Sequence, residues 1–239
     1  MKVLSFAALS GILFMGCLDD STGKPAMAEQ AFGMDTGTVF LAGFNGKAVN
    51  DVTGDTGSVK LVSYPDAVFG KGLRMETDSG GKALCLFRNS APLSLATGTL
   101  EALVRSDSAA SGFNHILDKS WQYGISNHNG FLAVHFGGGL DGWWYPTVPL
   151  PKGKWTYLAV AFDGATLSLY VNGALAASTP NTGGLGSTAY DVGIGNASDP
   201  GFDIPFMGII DEMRLSKVVR TGAEITKAWK GMEKKIAGR

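Results

Sequence analysis

Short apolar runs separated by polar turn residues recur from Thr38 onward, and several of them alternate. In Gly98–Ser106, an extended chain puts Leu100, Ala102 and Val104 on one face and Glu101, Leu103 and Arg105 on the other. Runs at Thr38–Phe44, Gly72–Glu76, Lys82–Phe87, Asn114–Asp118, Gln122–Ser126, Phe131–Phe136, Thr166–Val171, Ala189–Ile194 and Met207–Ser216 also read as strands. Tyr157–Phe162 is apolar on both faces, so the strand Trp155–Phe162 is expected at the centre of a two-sheet core. Asp163-Gly164 and Asn172-Gly173 tolerate the positive φ that type I′ turns demand, which makes Trp155–Phe162, Thr166–Val171 and Ala174–Ala177 a meander. The period changes only at the end of the chain. Between Ala223 and Lys235, Ile225, Ala228, Trp229 and Met232 recur at helical spacing with lysines on the other face, and Thr221 or Gly222 is placed to cap the helix. The pattern predicts an all-β fold: a two-sheet antiparallel sandwich with a short C-terminal helix.

The first residues follow a different rule. Lys2 precedes an apolar run, Val3–Met15, interrupted only by Ser5, Ser10 and Gly11. It is shorter than the roughly 20 residues of a membrane-spanning helix and suits a secretory signal peptide. Leu13-Phe14-Met15-Gly16-Cys17 resembles a bacterial lipobox, in which a small residue precedes a cysteine that is acylated and becomes the mature N-terminus. The resemblance implies a signal peptide over 1–16, export across the inner membrane, and a lipid anchor on Cys17. Residues 17–37 then read as a flexible tether, small and polar at its start. Leu18, where an Asp often marks inner-membrane retention, points to the outer membrane or cell surface. Ala26-Met27-Ala28 is a rival cleavage site that would release a soluble secreted chain.

Composition narrows the classes. Hydrophobic residues make up 45% and charged residues 17%, enough apolar surface for a core and too little charge for global disorder. The 34 glycines have no triplet period, which suits tight turns and excludes collagen. A formal net charge of −1 makes nucleic acid a poor partner. With Cys17 acylated, Cys85 has no partner, and its apolar setting makes it a buried thiol rather than a nucleophile. With no internal repeat and no linker, residues 38–239 form one domain.

The order of segments resembles a known family. Gly153-Lys154-Trp155-Thr156-Tyr157-Leu158-Ala159-Val160-Ala161-Phe162-Asp163-Gly164, followed by Leu167-Ser168-Leu169-Tyr170-Val171-Asn172-Gly173, is similar to the central signature of laminin-G-like, concanavalin A-like jelly-roll domains. Val39–Gly46, Phe69–Leu73, Thr99–Val104 and Gly208–Ser216 agree with its flanking strands. The resemblance implies two stacked antiparallel sheets, one concave. It leaves the ligand open, since members bind glycans or proteins and some are glycosidases or lyases. Glycosidases of this fold carry Glu-x-Asp-x-x-Glu on one strand, a motif this chain lacks. Asp211 and Glu212 are adjacent and on a regular strand point to opposite faces. A lyase would draw on Arg105 and on His115, His128 and His135, whose spacing fits no standard zinc pattern. The resemblance further implies a structural calcium held in part by Asp211, with Asn45 where many relatives carry Asp.

The best candidate for ligand contact is aromatic. Asp141-Gly142-Trp143-Trp144-Tyr145 follows a run of three glycines, and three consecutive aromatics cannot all face inward on a strand. Exposed aromatic faces stack on sugar C–H surfaces or grip protein partners. Trp121, Tyr123 and His128, with Asn127 and Asn129, are expected to add contacts, and Arg105 completes the candidate set. The expected function is a non-catalytic carbohydrate-binding lipoprotein of the bacterial envelope. The alternatives are a protein-interaction module in an envelope complex and, third, a glycoside hydrolase or polysaccharide lyase. Mass spectrometry of the mature protein is expected to find acyl chains on Cys17, whereas an unmodified chain beginning at Glu29 contradicts the anchor.

Overall fold

The computed structural model describes residues 30–77, 80–108, 111–137, 142–181 and 186–239. The signal peptide, Cys17, most of the expected tether and Asp141 lie outside the described residues. Two antiparallel sheets face each other. In spatial order, the six-stranded sheet runs Thr38–Ala42, Gly208–Ser216, Gly98–Ser106, Trp155–Phe162, Thr166–Val171 and Ala174–Pro180. The seven-stranded sheet runs Trp143–Trp144, Phe131–Phe136, Tyr123–His128, Phe113–Lys119, Val192–Ile194, Leu84–Phe87 and Ser58–Lys60. The two-sheet sandwich expected from the alternation, which the family resemblance specified as a jelly-roll, is therefore present, with its helix at Gly222–Ala237.

Leu100, Ala102 and Val104 meet Leu117, Tyr123, Ile125, Leu132 and Val134 between the sheets. Cys85 lies in this core as a free thiol, and burial pushes it up to about 12, so it is inert at neutral pH. The outer face of the six-stranded sheet is covered as well. Leu41, Leu103, Tyr157 and Ala159 form a second cluster with Phe32, Val68 and Phe69 and with Ile225 and Met232 of the helix. Phe32 is fully buried, and Phe32 N–H donates to Glu212 at 2.9 Å. The segment Gln30–Gly37, expected within the tether, is instead laid on the domain. The Thr221 hydroxyl accepts the Glu224 N–H while the Glu224 carboxylate reaches back to Thr221, a reciprocal cap that starts the helix after the closing strand.

One buried carboxylate clasps this covered face. Glu101 accepts from Arg214 Nε at 2.6 Å and Nη2 at 2.7 Å, from Arg220 Nε at 3.1 Å and from the Tyr157 hydroxyl at 2.7 Å. Arg214 also donates to the Gly33 carbonyl, and Arg220 to Asp35. Three strands, the N-terminal segment and the approach to the helix thus converge on one side chain.

The sequence reading missed Ser58–Lys60 and Trp143–Trp144, both short edge strands with too few residues to show a period. Arg105 has to be removed from the candidate site. It lies on the outer face of the six-stranded sheet, against the Trp155 ring and paired with Asp107 at 2.9 Å. Replacing Glu101 by Gln leaves buried Arg214 without its counter-charge and Arg220 with Asp35 alone. The expected loss is about 3–5 kcal/mol of unfolding free energy, read from urea denaturation.

Candidate functional site

On the outer face of the seven-stranded sheet Asp118, His115, Ser126, Ala133 and His135 are buried, and the chain at Pro205 runs beside His115. Facing residues fall in rows: Asp118, Gly124, His135 and Trp143 in one, His115, Ser126 and Ala133 in the next, Phe113, His128 and Phe131 in a third. Regular alternation would not place Phe113, His115 and Asp118 on one face. The register shifts between Ile125 and Ser126, and the extra residue lets Ile116 and Leu117 both enter the core while Asp118 turns outward.

Gly124, Ser126 and Ala133 make a low floor, and the Trp143 indole lies over it. A Cβ at Gly124 would stand in ordinary contact with Trp143 Cη2 at 3.5 Å but only 2.9 Å from the Leu117 carbonyl oxygen, so a side chain there forces the backbone to shift beneath the indole. His115 and His135 rings each sit 5.4 Å from the indole, Phe113 5.0 Å. His128 stacks on Phe113 at 4.3 Å, and Tyr145, half exposed, lies 5.3 Å beyond His128. The chain's three histidines thus border one aromatic platform.

Above it opens a pocket of about 320 Å³, lined by Phe113, His115, Asp118, Trp121, His135 and Trp143 and by Phe202 and Ile204 of the following loop. Trp121 is held at positive φ and remains exposed. Asp118 Oδ2 accepts the Ser198 N–H at 2.8 Å, the Ser198 hydroxyl at 3.0 Å and the Ser120 hydroxyl. His115 shares a hydrogen bond with the Ser126 hydroxyl. Burial, opposed by Asp118 and reinforced by His135, holds its pKa below the ordinary value, so His115 is neutral at pH 7. Lys82 Nζ donates to the Asp199 and Phe202 carbonyls and pins the loop at the rim. The Gly201 N–H, then the Tyr190 hydroxyl and the Trp121 indole, keep Asp199 below the usual carboxylate range.

Trp121, His128, Trp143 and Tyr145 therefore share one face. Trp144 turns inward against the core. Tyr123 is also wrongly placed by the sequence reading: it is fully buried and donates to the Leu93 carbonyl at 2.9 Å. The loop residues Phe202 and Ile204 were missed because an apolar residue in an irregular loop carries no periodic signal.

The family model of the concanavalin A-like lectin/glucanases superfamily matches residues 78–226. The chain belongs to that superfamily. Among solved structures, this concanavalin A-like chain is similar to domain 4 of AbnA, an extracellular GH43 arabinanase of Geobacillus stearothermophilus, in complex with arabinotriose. The identity is 19% and the TM-score 0.65, with 80% of this chain and 97% of that one covered. It is also similar to the binding domain of Paraclostridial Mosquitocidal Protein 1 at 12% identity and TM-score 0.63, covering 81% of this chain and 52% of that one. A structure described for botulinum neurotoxin type C, whose cell entry is dependent upon interaction with two ganglioside molecules, gives 12% and 0.62, covering 82% and 51%. The chain spans about half the length of those two toxin chains. No curated protein matches it.

The residues expected at a calcium lie on the opposite, covered face of this concanavalin A-like domain. Asn45 Oδ1 accepts the Lys71 N–H at 2.8 Å. Asp211 Oδ2 accepts the N–H groups of Val68 and Phe69 at 2.7 and 2.8 Å. A second register shift, between Ile210 and Glu212, corrects the expectation that Asp211 and Glu212 face opposite ways: both carboxylates enter the outer cluster. Asp211 Oδ1 and Glu212 Oε1 are buried without hydrogen-bond partners. Among the described residues, no group of three or more His, Cys, Asp or Glu gathers to hold a metal.

Burial raises both carboxyl groups, Asp211 to about 6 and Glu212 to about 8, the latter also through Asp211. A raised carboxyl pKa stabilises the fold below the unfolded-state value near 4, and that contribution is lost as the pH climbs through the folded-state values. In metal-free buffer the melting temperature should therefore fall between pH 5 and pH 8.5, and the double substitution D211N/E212Q should flatten that slope.

Proposed function

We propose that this chain binds a glycan on the outer face of its seven-stranded sheet without cleaving it, as an exported protein held to the outer membrane or cell surface by lipid on Cys17. The observation that carries the glycan reading is the Trp143 indole lying over Gly124 beside His115, His135 and Asp118. A sugar ring presents one C–H face and a rim of hydroxyls. A flat aromatic floor bordered by hydrogen-bonding groups answers both. The arabinotriose and gangliosides named for two structural neighbours support the same ligand class.

The non-catalytic part rests on carboxylate placement. Glycosidases set two carboxyl groups about 5–10 Å apart across the substrate. Among the described residues lining the pocket, Asp118 is the one carboxylate, and its Oδ2 is committed to Ser120 and Ser198. At the covered face, a calcium ion would be held by Asp211 and Glu212, whose free oxygens suit a hard cation. Asn45, tied to Lys71, would then shape the neighbouring turn.

Trp143→Ala should weaken binding of an arabino-oligosaccharide, or of the best glycan on an array, by at least about tenfold in calorimetry with folding intact. Trp144→Ala should leave affinity unchanged while lowering stability by about 2–3 kcal/mol, because that ring packs on the core. Unchanged affinity in Trp143→Ala contradicts the site, and sugar release from a polysaccharide contradicts the non-catalytic reading. Calcium at pH 8 should raise the melting temperature of the wild type but not of Asp211→Asn; a wild type indifferent to calcium and EDTA removes the ion.

A further inference from the structure

The C-terminal helix carries charge that packing does not require. Its inward face, Ile225 and Met232, is buried on the six-stranded sheet. On the opposite face, Ala223, Lys227, Lys230, Gly231, Lys234 and Gly238 fall within a narrow arc at 100° per residue, and all are exposed. Between 222 and 239 there are five cationic residues and two acidic ones, although the whole chain is close to neutral. Glu224, one of the two acids, is bound to Thr221 in the cap. The helix dipole favours cations in the last turn, which accounts for Lys234. It does not account for Lys227 and Lys230 further up the helix.

The N-terminal segment meets the domain on this same face. Phe32 shares the outer cluster with Ile225 and Met232, and Arg214 holds the Gly33 carbonyl at 2.7 Å. Twelve residues separate Gln30 from Cys17, a span that reaches at most about 45 Å when fully extended. The aromatic pocket lies on the other sheet, on the far side of the sandwich.

We infer that the exposed lysine stripe of the C-terminal helix docks on an anionic phospholipid bilayer and turns the glycan pocket away from the membrane. The inference rests on the lipid-anchored reading above, because a short tether is what keeps the stripe beside the bilayer. Charge complementarity and the entry of the tether on the helix side select this occupant. Each lysine near an anionic surface favours binding by roughly fivefold, so three favour the docked orientation by about a hundredfold at low salt.

The test uses the mature acylated protein in vesicles of phosphatidylcholine alone and of phosphatidylcholine with phosphatidylglycerol. Amine labelling by an aqueous reagent is followed residue by residue by mass spectrometry, with exposed Lys60 on the seven-stranded sheet as the internal reference. Docking predicts that Lys227, Lys230 and Lys234 label about tenfold more slowly on the anionic vesicles, that high salt restores their rate, and that Lys60 is indifferent to the lipid. Equal labelling of the three lysines on both vesicle types overturns the docking while leaving the anchor standing. Intact mass without acyl chains on Cys17 overturns the anchored reading and the docking with it. Protection that requires protein–protein contact, seen as a dimer that K227Q/K230Q/K234Q dissociates in ultracentrifugation, assigns the stripe to a second copy and also overturns the proposal.

Discussion

The carboxylate of Glu101 sits without solvent contact between two guanidinium groups and a tyrosine hydroxyl, and the arrangement of both faces follows from it. A charge buried this deeply is tolerable only when its partners are fixed in place. Arg214 comes from the closing strand, Arg220 from the turn before the helix, and Tyr157 from the central strand. Holding them together draws the N-terminal segment and the helix onto the six-stranded sheet. That covering buries one outer surface of the sandwich, and the aromatic pocket lies on the other.

On the pocket side, the decisive feature is an irregularity. The extra residue between His115 and Leu117 brings Asp118 and His115 to the same face, and the missing side chain at Gly124 lets the Trp143 indole approach the sheet beside His115 and His135. The pocket is thus built by a bulge, a low floor and an aromatic edge strand together. A second bulge, on the closing strand, gathers Asp211 and Glu212 beneath the N-terminal segment, so the same device creates both concentrations of polar chemistry.

These irregularities mark where sequence reasoning reached its limit. Alternation in Gly98–Ser106 and Trp155–Phe162, and the Asp-Gly and Asn-Gly turns, gave the sheets and the meander directly, because two-fold periodicity is what a half-buried strand imposes on its residues. The helix was legible from the spacing of Ile225, Ala228, Trp229 and Met232. The site was legible only in its aromatic edge. Tyr123 was misplaced because neighbouring Gly124 gave no hint of which face it occupied. Arg105 was misplaced because a residue's sheet cannot be read from its own strand. Asp211 and Glu212 were assigned to opposite faces by a regular alternation that a single inserted residue reverses.

The central claim is that ligand settles on the Trp143 platform, and the chain's three histidines all border it. Imidazole resonances of His115, His128 and His135 followed by NMR during titration with a glycan that calorimetry finds to bind therefore give the most direct reading. The account predicts that these signals shift together and saturate at the calorimetric stoichiometry. Saturable binding with all three signals unmoved would place the ligand elsewhere and contradict it.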